Sequence, residues 1–236
     1  MIYVLYYGNT AEHKERKKMS KLPSLVESWK IYLNAILAGL FIGIAGTVYL
    51  ACPITVLGAF LFGFGLLTIV CNGFKLYTGA VGYLAVQGRN FPSYLVVLAL
   101  IWLGNLTGCY AVGAAVRSSR SFAALGIVEK VAKICEVKMA DGLWSLFILA
   151  FFCGILMYLA VETFRREELA PVIRMTNVFL CVVVFILSGF EHCIANMYYF
   201  SAAGVWSWHV LGLTLLMTLG NSVGGMLLPA ADMLRK

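Results

Sequence analysis

Two long stretches without charge constrain this chain more than any other feature. No Asp, Glu, Lys or Arg occurs in the 44 residues between Lys30 and Lys75, or in the 40 residues between Glu191 and Asp232. An uncharged apolar run longer than about 18 residues can cross a bilayer as a helix. Each stretch therefore has room for two spans, or for one span that is broken within the membrane.

Composition agrees with a membrane protein. Of the 236 residues, 61% are apolar and 12% are charged, whereas about a quarter of the residues in a soluble domain are charged. This balance excludes a disordered chain and a nucleic-acid-binding module, despite the net charge of +7. The seven cysteines form no CxxC pair, so we predict no disulfide framework, no metal site and no cofactor.

Turn signals divide the chain into six apolar segments. Cys52-Pro53, Gly88 and Pro171 mark three of the boundaries. The predicted spans are 31–51, 54–87, 92–116, 142–161, 171–197 and 206–229. The sequence therefore predicts an all-α polytopic membrane protein with six spans, of which the second is too long for one straight helix.

The distribution of basic residues predicts the orientation. With the N-terminus in the cytoplasm, twelve Lys and Arg fall on the inner face and five on the outer face, and Lys75 lies inside a span. This excess predicts that both termini are cytoplasmic. Residues 1–30 are expected to form a basic amphipathic segment without a cleavable signal peptide, and residues 117–141 an extracytoplasmic connector.

An internal repeat organises the spans. Segment 103–108 reappears at 219–224 and segment 73–76 at 189–192, and both pairs are 116 residues apart. Residues 31–116 and 142–236 are therefore predicted to be two copies of a three-span unit. An odd number of spans per copy inverts the second copy in the membrane, which is an architecture typical of transporters.

Small and polar residues within the spans predict local structure. Glycines beside polar residues in spans two and five indicate broken helices, whose free backbone groups must face protein or a water-filled cavity. Gly104 with Gly108, and their repeat equivalents, are expected to form close helix packing. Asn105 and Asn221 either brace the broken helices or point into a pore.

Ionisable side chains within a span are functional candidates. His192 is the sharpest candidate, because it lies on the break in span five and its ordinary pKa is close to physiological pH. The alternative is a neutral core histidine that bonds a backbone carbonyl.

One motif carries a family resemblance. Residues 188–197, Ser-Gly-Phe-Glu-His-Cys-Ile-Ala-Asn-Met, resemble a signature of the formate/nitrite transporter family, and segments 76–79 and 220–225 are similar to two further elements of it. The resemblance covers about residues 25 to 230. It implies an aquaporin-like protomer in a homopentamer in the bacterial inner membrane. It also implies one pore per protomer for small monovalent anions such as formate, nitrite or hydrosulfide.

The resemblance also implies roles for individual residues. His192 corresponds to a central pore histidine, Thr78 to a threonine that faces it, and Lys138 to a lysine at the outer mouth. The inner mouth leaves several basic candidates open. These are Lys14, Lys17, Lys18 and Lys21. Two apolar constrictions on either side of the histidine are implied for Phe62, Leu66, Leu76 and Phe185.

The chain departs from the family pattern at two positions. Lys75 stands where the family usually has Asp or Glu, and Gly154 where it usually has a pore-lining Asn. Fewer hydrogen-bond donors favour hydrosulfide slightly over formate or nitrite. Because Lys75 and Glu191 are equivalent in the repeat, we predict that they form a buried ion pair.

The prediction from sequence is thus an anion channel rather than an enzyme. Basic mouths would attract the anion, which would cross near His192, in part as its protonated form. The alternative is an aquaporin-type channel for water or glycerol, but its paired Asn-Pro-Ala loops are missing because no Asn-Pro occurs in the chain. An intramembrane enzyme would need a nucleophile and base set that the spans do not contain.

Overall fold

A computed structural model describes residues 22–235 of the chain. The predicted amphipathic segment and the four inner-mouth candidates, Lys14, Lys17, Lys18 and Lys21, lie outside these residues. Within residues 22–235 the regular structure is entirely helical, which confirms the all-α prediction.

Ten α-helices and two short 3₁₀ segments make up the described chain. The first half contains α1 (Leu25–Ala51), α2 (Thr55–Asn72), α3 (Tyr77–Ala80), 3₁₀ segments at Val81–Val86 and Gly88–Asn90, and α4 (Phe91–Arg117). A connector follows with α5 (Ser121–Ala124) and α6 (Ile127–Ala140). The second half contains α7 (Leu143–Arg165), α8 (Pro171–Leu187), α9 (Cys193–Ala203) and α10 (Trp208–Leu234).

The helix lengths fit a membrane protein with two broken spans. Within residues 22–235, five helices are long and apolar enough to cross a bilayer: α1, α2, α4, α7 and α10. The shorter apolar helix α8 has 17 residues and is followed after a break by α9. Predicted span two is likewise divided between α2 and α3, so both predicted breaks are confirmed.

A left-handed glycine ends the first half-helix at each break. Gly73 has φ 68° and Gly189 has φ 67°, a conformation that glycine adopts without steric cost. The next residue turns its amide back onto the helix that has just ended. Phe74 N–H donates to Ile69 O at 3.0 Å, and Phe190 N–H donates to Phe185 O at 2.9 Å. The two breaks therefore have the same backbone geometry.

Glycines bring the long helices into close contact. On α4, a Cβ at Gly104 would meet Ala35 Cβ at 2.5 Å, and one at Gly108 would meet the α1 backbone. On α10, a Cβ at Gly220 would meet Phe147 O at 2.6 Å, and one at Gly224 would meet the α7 backbone. These contacts confirm the predicted packing role and hold α1 against α4 and α7 against α10.

Helix α6 is the main element that the sequence did not predict. Its buried residues Ile127, Val131 and Cys135 recur at every fourth position, which gives one apolar face. This periodicity lies within the segment that was predicted only as a connector. The helix carries Lys138, the residue that the resemblance implies for the outer mouth.

Candidate pore site

Two buried asparagines fix the ends of the broken helices. Asn105 Nδ2 donates to Ala35 O at 2.8 Å and to Lys75 O at 2.9 Å, while its Oδ1 accepts from Tyr77 N–H at 2.9 Å. Two of these bonds satisfy backbone atoms at the break, Lys75 O and Tyr77 N–H, and the third ties the break to α1. Of the two predicted roles for this asparagine, the structure supports the bracing role.

Asn221 repeats the same arrangement in the second half. Its Nδ2 donates to Ala150 O at 2.7 Å and to Glu191 O at 2.8 Å, and its Oδ1 accepts from Cys193 N–H at 2.9 Å. Glu191 and Cys193 lie 116 positions after the corresponding residues Lys75 and Tyr77. The sequence repeat is thus also a repeat of hydrogen bonds.

The two breaks meet at Thr78 and His192. Thr78 lies on α3 and is fully buried, His192 is the N-cap of α9 and is 2% exposed, and Thr78 Oγ1 lies 2.9 Å from His192 Nε2. The structure therefore brings together the two residues that the resemblance pairs.

Backbone contacts determine which ring nitrogen of His192 carries a proton. His192 Nδ1 accepts a hydrogen bond from Ala195 N–H at 3.0 Å, so in a neutral ring the proton is on Nε2. Nε2–H then donates to Thr78 Oγ1, and the hydroxyl proton of Thr78 is available to another acceptor. The pair can therefore offer a hydrogen-bond donor to an anion between two half-helices.

Aromatic and aliphatic side chains surround this pair. The rings of Phe185 and His192 lie 5.6 Å apart, and Phe62 packs edge-on against Phe185 at 5.9 Å. All four residues implied for the constrictions are buried: Phe62, Leu66, Leu76 and Phe185. The histidine thus lies in apolar surroundings, while the assignment of two separate constrictions stays a prediction.

Glu191 is paired with Lys138 rather than with Lys75. Lys138 Nζ lies 2.5 Å from Glu191 Oε2, and Asn196 Nδ2 donates to the same oxygen at 2.6 Å. Glu191 is 5% exposed. The predicted Lys75–Glu191 pair is therefore wrong, because α6 brings a lysine from the connector to the buried carboxylate.

Lys75 has no ion pair within residues 22–235. Its backbone N–H donates to Asn34 O at 3.3 Å and its carbonyl is held by Asn105. The side chain is partly exposed, so its ammonium group can reach water and is not the fully buried charge that the sequence predicted.

Gly154 is a packing residue and not the position of a lost pore amide. It is buried on α7, and a Cβ at this position would collide with the carbonyl oxygen of Asn221. Gly39 on α1 has the same relation to the carbonyl of Asn105. No side chain fits at Gly154, so the predicted loss of a hydrogen-bond donor from the pore is wrong.

Substitution of Gly154 by alanine is expected to lower the free energy of unfolding by about 1–3 kcal/mol, since the added methyl group forces α7 and α10 apart. A lower Tm of the detergent-solubilised protein would measure this effect. Gly212→Ala is the matched control, because a Cβ at Gly212 meets nothing within 4 Å and should leave the Tm equal or slightly raised. Equal Tm values for both variants would contradict the packing role.

Two contacts near the candidate site are not predictable from the sequence. Asn196, the asparagine of the 188–197 motif, donates to Glu191 and lies 2.9 Å from Met217 Sδ. Lys130, one of the five outer basic residues, donates through Nζ to Tyr49 O at 2.7 Å and to Cys52 O at 2.9 Å. No pattern in the sequence pointed to either contact.

Lys130 fastens the helix that carries Lys138. Its two carbonyl acceptors lie at the C-terminal end of α1, where a cation is favoured by the helix dipole, and its ammonium also lies 4.5 Å from the Tyr49 ring centroid. Burial lowers the pKa of Lys130 and raises that of Cys135 to about 12. The Cys135 thiol therefore stays protonated at neutral pH. Helix α6 is held in place by the Lys130 bonds to α1 and by its buried apolar face.

Curated relatives resemble this chain along much of its length. The nitrite transporter NirC of Escherichia coli is 30% identical, and the match covers 70% of this chain and 65% of that protein. The formate channel FocA of Haemophilus influenzae is 24% identical over 93% of this chain and 88% of its own. The chain thus spans just under two thirds of NirC.

Two solved structures share the fold. A pentameric formate channel with formate bound has a TM-score of 0.73 and 24% identity, and covers 90% of this chain and 98% of its own. An FNT family ion channel has a TM-score of 0.76 and 22% identity, and covers 94% of this chain and 95% of its own.

The match to a sequence family is more extensive. Residues 8–233 fit the family described as formate/nitrite transporter, which is nearly the whole chain and includes both breaks and the Thr78–His192 pair. The fold of the described residues agrees with solved channels of this kind. The chain therefore belongs to the formate/nitrite transporter family.

Proposed function

We propose that this protein is a membrane channel for small monovalent anions that are the bases of weak acids, such as formate and nitrite. The observation that carries this proposal is the buried Thr78–His192 hydrogen bond at the meeting point of the two broken helices. Family membership supports the same class of substrate.

The site favours an anion that can accept a hydrogen bond or a proton. A bare anion pays a large desolvation cost among apolar side chains such as Phe62 and Phe185, whereas its conjugate acid does not. The Thr78 hydroxyl donates to the anion while His192 Nε2–H holds the hydroxyl oxygen. A proton from hydronium in the bulk solvent then travels with the anion as the neutral acid, and a water molecule is left behind. Chloride forms no neutral acid in water, so it passes poorly.

Two features along the pore favour the passage of an anion. Lys138 on α6 neutralises Glu191, so the carboxylate does not repel an approaching anion. The N-terminal end of α9 begins at His192 and contributes a positive dipole end. These groups act at the outer approach and in the middle of the pore.

The wider architecture follows the family. We infer two inverted repeats, 31–116 and 142–236, with an outer connector at 117–141, both termini in the cytoplasm of a bacterium, and a homopentamer in the inner membrane. One contact supports a twofold relation between the repeats: Trp102 Nε1 donates to Thr218 Oγ1 at 3.0 Å, and the two positions are 116 residues apart. A contact between equivalent positions is expected beside a twofold axis.

Substitution of His192 by alanine tests the function. Loss of the ring removes the donor that orients the Thr78 hydroxyl toward the anion. A barrier raised by about 1.4 kcal/mol lowers a rate tenfold, so formate flux into proteoliposomes should fall by about tenfold or more. In the wild type, flux should rise as pH falls, because more formate is then protonated, and this rise should be smaller in the variant.

The exposed histidine His209 provides the matched control. His209→Ala should keep the flux and pH dependence of the wild type. Formate flux that is independent of both pH and His192 would contradict the proposed function.

A panel of anions identifies the preferred substrate. Formate, nitrite, hydrosulfide and chloride are compared at two pH values, with water flux measured beside them to test the aquaporin-type alternative. The argument for hydrosulfide from Gly154 no longer holds, since that position packs against Asn221. Hydrosulfide stays in the panel because Lys75 still departs from the family pattern.

A further inference from the structure

We propose that Lys75 is an anion-binding residue that gives the inner end of the pore a positive charge, while its repeat equivalent at the outer end, Glu191, is neutralised by Lys138. This inference rests on the proposed function. It predicts that anions entering from the cytoplasm bind near Lys75, and that the two directions of entry have different affinities.

Lys75 and Glu191 occupy equivalent positions in the two breaks. Each follows a left-handed glycine and a phenylalanine, and each carbonyl accepts from the amide of a bracing asparagine. Each backbone N–H also donates to a carbonyl of a long neighbouring helix, Asn34 O on α1 and Leu149 O on α7. The two side chains therefore leave the same local framework, one in each half.

The two equivalent positions carry opposite charges in different surroundings. Glu191 is buried and its carboxylate is matched by the ammonium of Lys138 and by the amide of Asn196. Lys75 is partly exposed and has no ion pair within the described residues 22–235. Among the described residues, Glu191 is therefore part of a neutral pair at one end, whereas Lys75 adds a positive charge at the other.

Lys75 is close in sequence to the centre of the candidate pore. Only Leu76 and Tyr77 separate Lys75 from Thr78, and Leu76 is buried. Thr78 in turn holds His192. With inverted repeats, Lys75 lies on the inner side of this apolar layer and Glu191 on the outer side. An anion at Lys75 therefore stands immediately before the desolvating step.

The positive charge of Lys75 attracts anions to the inner end of the pore. A fixed charge at the rim of a low-dielectric opening raises the local concentration of its counter-ion by tenfold or more. Lys75 thus lowers the concentration of anion needed for entry from the cytoplasm. Lys138 cannot do the same at the outer end to this degree, because Glu191 cancels its charge.

The test compares formate uptake at the two faces of the membrane. Inside-out and right-side-out vesicles from bacteria that express the full chain expose opposite faces. In Lys75→Met, the half-saturating formate concentration should rise about tenfold at the cytoplasmic face and change by less than about twofold at the outer face. Lys75→Arg keeps the charge and should behave as the wild type, and raised ionic strength should narrow the difference between wild type and Lys75→Met.

Lys30→Met is the matched control, because it removes an exposed charge near the start of α1. It should leave both half-saturating concentrations within about twofold of the wild type. Lys75→Gln repeats the test if Lys75→Met does not accumulate in the membrane. A wild-type response of both neutral variants, or an equal change at both faces, would overturn the proposal and leave the proposed function intact. A wild type that carries no formate from either face would overturn both.

Discussion

Substitution of Lys138 by methionine is expected to destabilise the protein by about 3–5 kcal/mol and to abolish formate flux. The change leaves the Glu191 carboxylate buried with Asn196 as its remaining hydrogen-bond donor, and an uncompensated buried charge is strongly unfavourable. The Tm of the solubilised protein and the flux into proteoliposomes measure the two effects.

Two further variants separate the pair from its individual charges. Lys138→Met with Glu191→Gln removes both charges and should recover most of the lost stability, since a neutral amide can still accept from Asn196. Glu191→Gln alone should cost less than Lys138→Met, because the Lys138 side chain is 13% exposed and can turn toward water. Lys133→Met removes an exposed charge from the same helix and should keep the wild-type Tm. A stable, conducting Lys138→Met protein would contradict the importance of this pair.

Substitution of either bracing asparagine by alanine is expected to remove about 2–6 kcal/mol of stability. Asn221→Ala leaves Cys193 N–H and Glu191 O at the break without their partner, and each buried polar group without a partner costs about 1–3 kcal/mol. The bond that ties the break to Ala150 O of α7 is lost as well. Such a loss is comparable with the whole stability of many proteins. We therefore expect little folded protein in the membrane fraction.

Asn105→Ala should have an effect of the same size, because Asn105 makes the equivalent three bonds in the first half. Asn72→Ala is the control, since this exposed side chain beside the first break bonds only Thr68 O of its own helix. It should change stability by less than about 0.5 kcal/mol. A tolerated alanine at Asn105 or Asn221 would contradict the bracing role.

Local pattern was sufficient to predict the helices and their breaks. Uncharged runs required membrane spans, and glycines with neighbouring polar residues indicated the interruptions at Gly73 and Gly189, which the structure has. The repeated Gly-Asn motif predicted close packing, and the same asparagines turned out to brace the breaks. These features depend on residues that are close in sequence or equivalent in the repeat.

Contacts between distant segments were not predictable in this way. The partner of Glu191 is Lys138 on α6, 53 positions earlier in the chain. Repeat symmetry predicts Lys75 instead, because α6 lies in the connector and is not part of the repeat. The predicted role of Gly154 as a lost pore amide is wrong for a similar reason, because the Asn221 backbone lies beside it only in the folded protein. A single sequence records which charges exist but not which of them a connector brings together.

The bracing asparagines hold the broken helices through backbone atoms alone, because they bond the carbonyl groups of residues 75 and 191 and not their side chains. The backbone bonds of each break are therefore the same with either side chain, although the Glu191 carboxylate makes additional bonds to Lys138 and Asn196. A lysine on one framework and a glutamate on the other are already tolerated within one molecule. The charge at position 75 can therefore be changed by mutation to tune anion entry at one end of the pore, while the backbone that forms the pore stays the same.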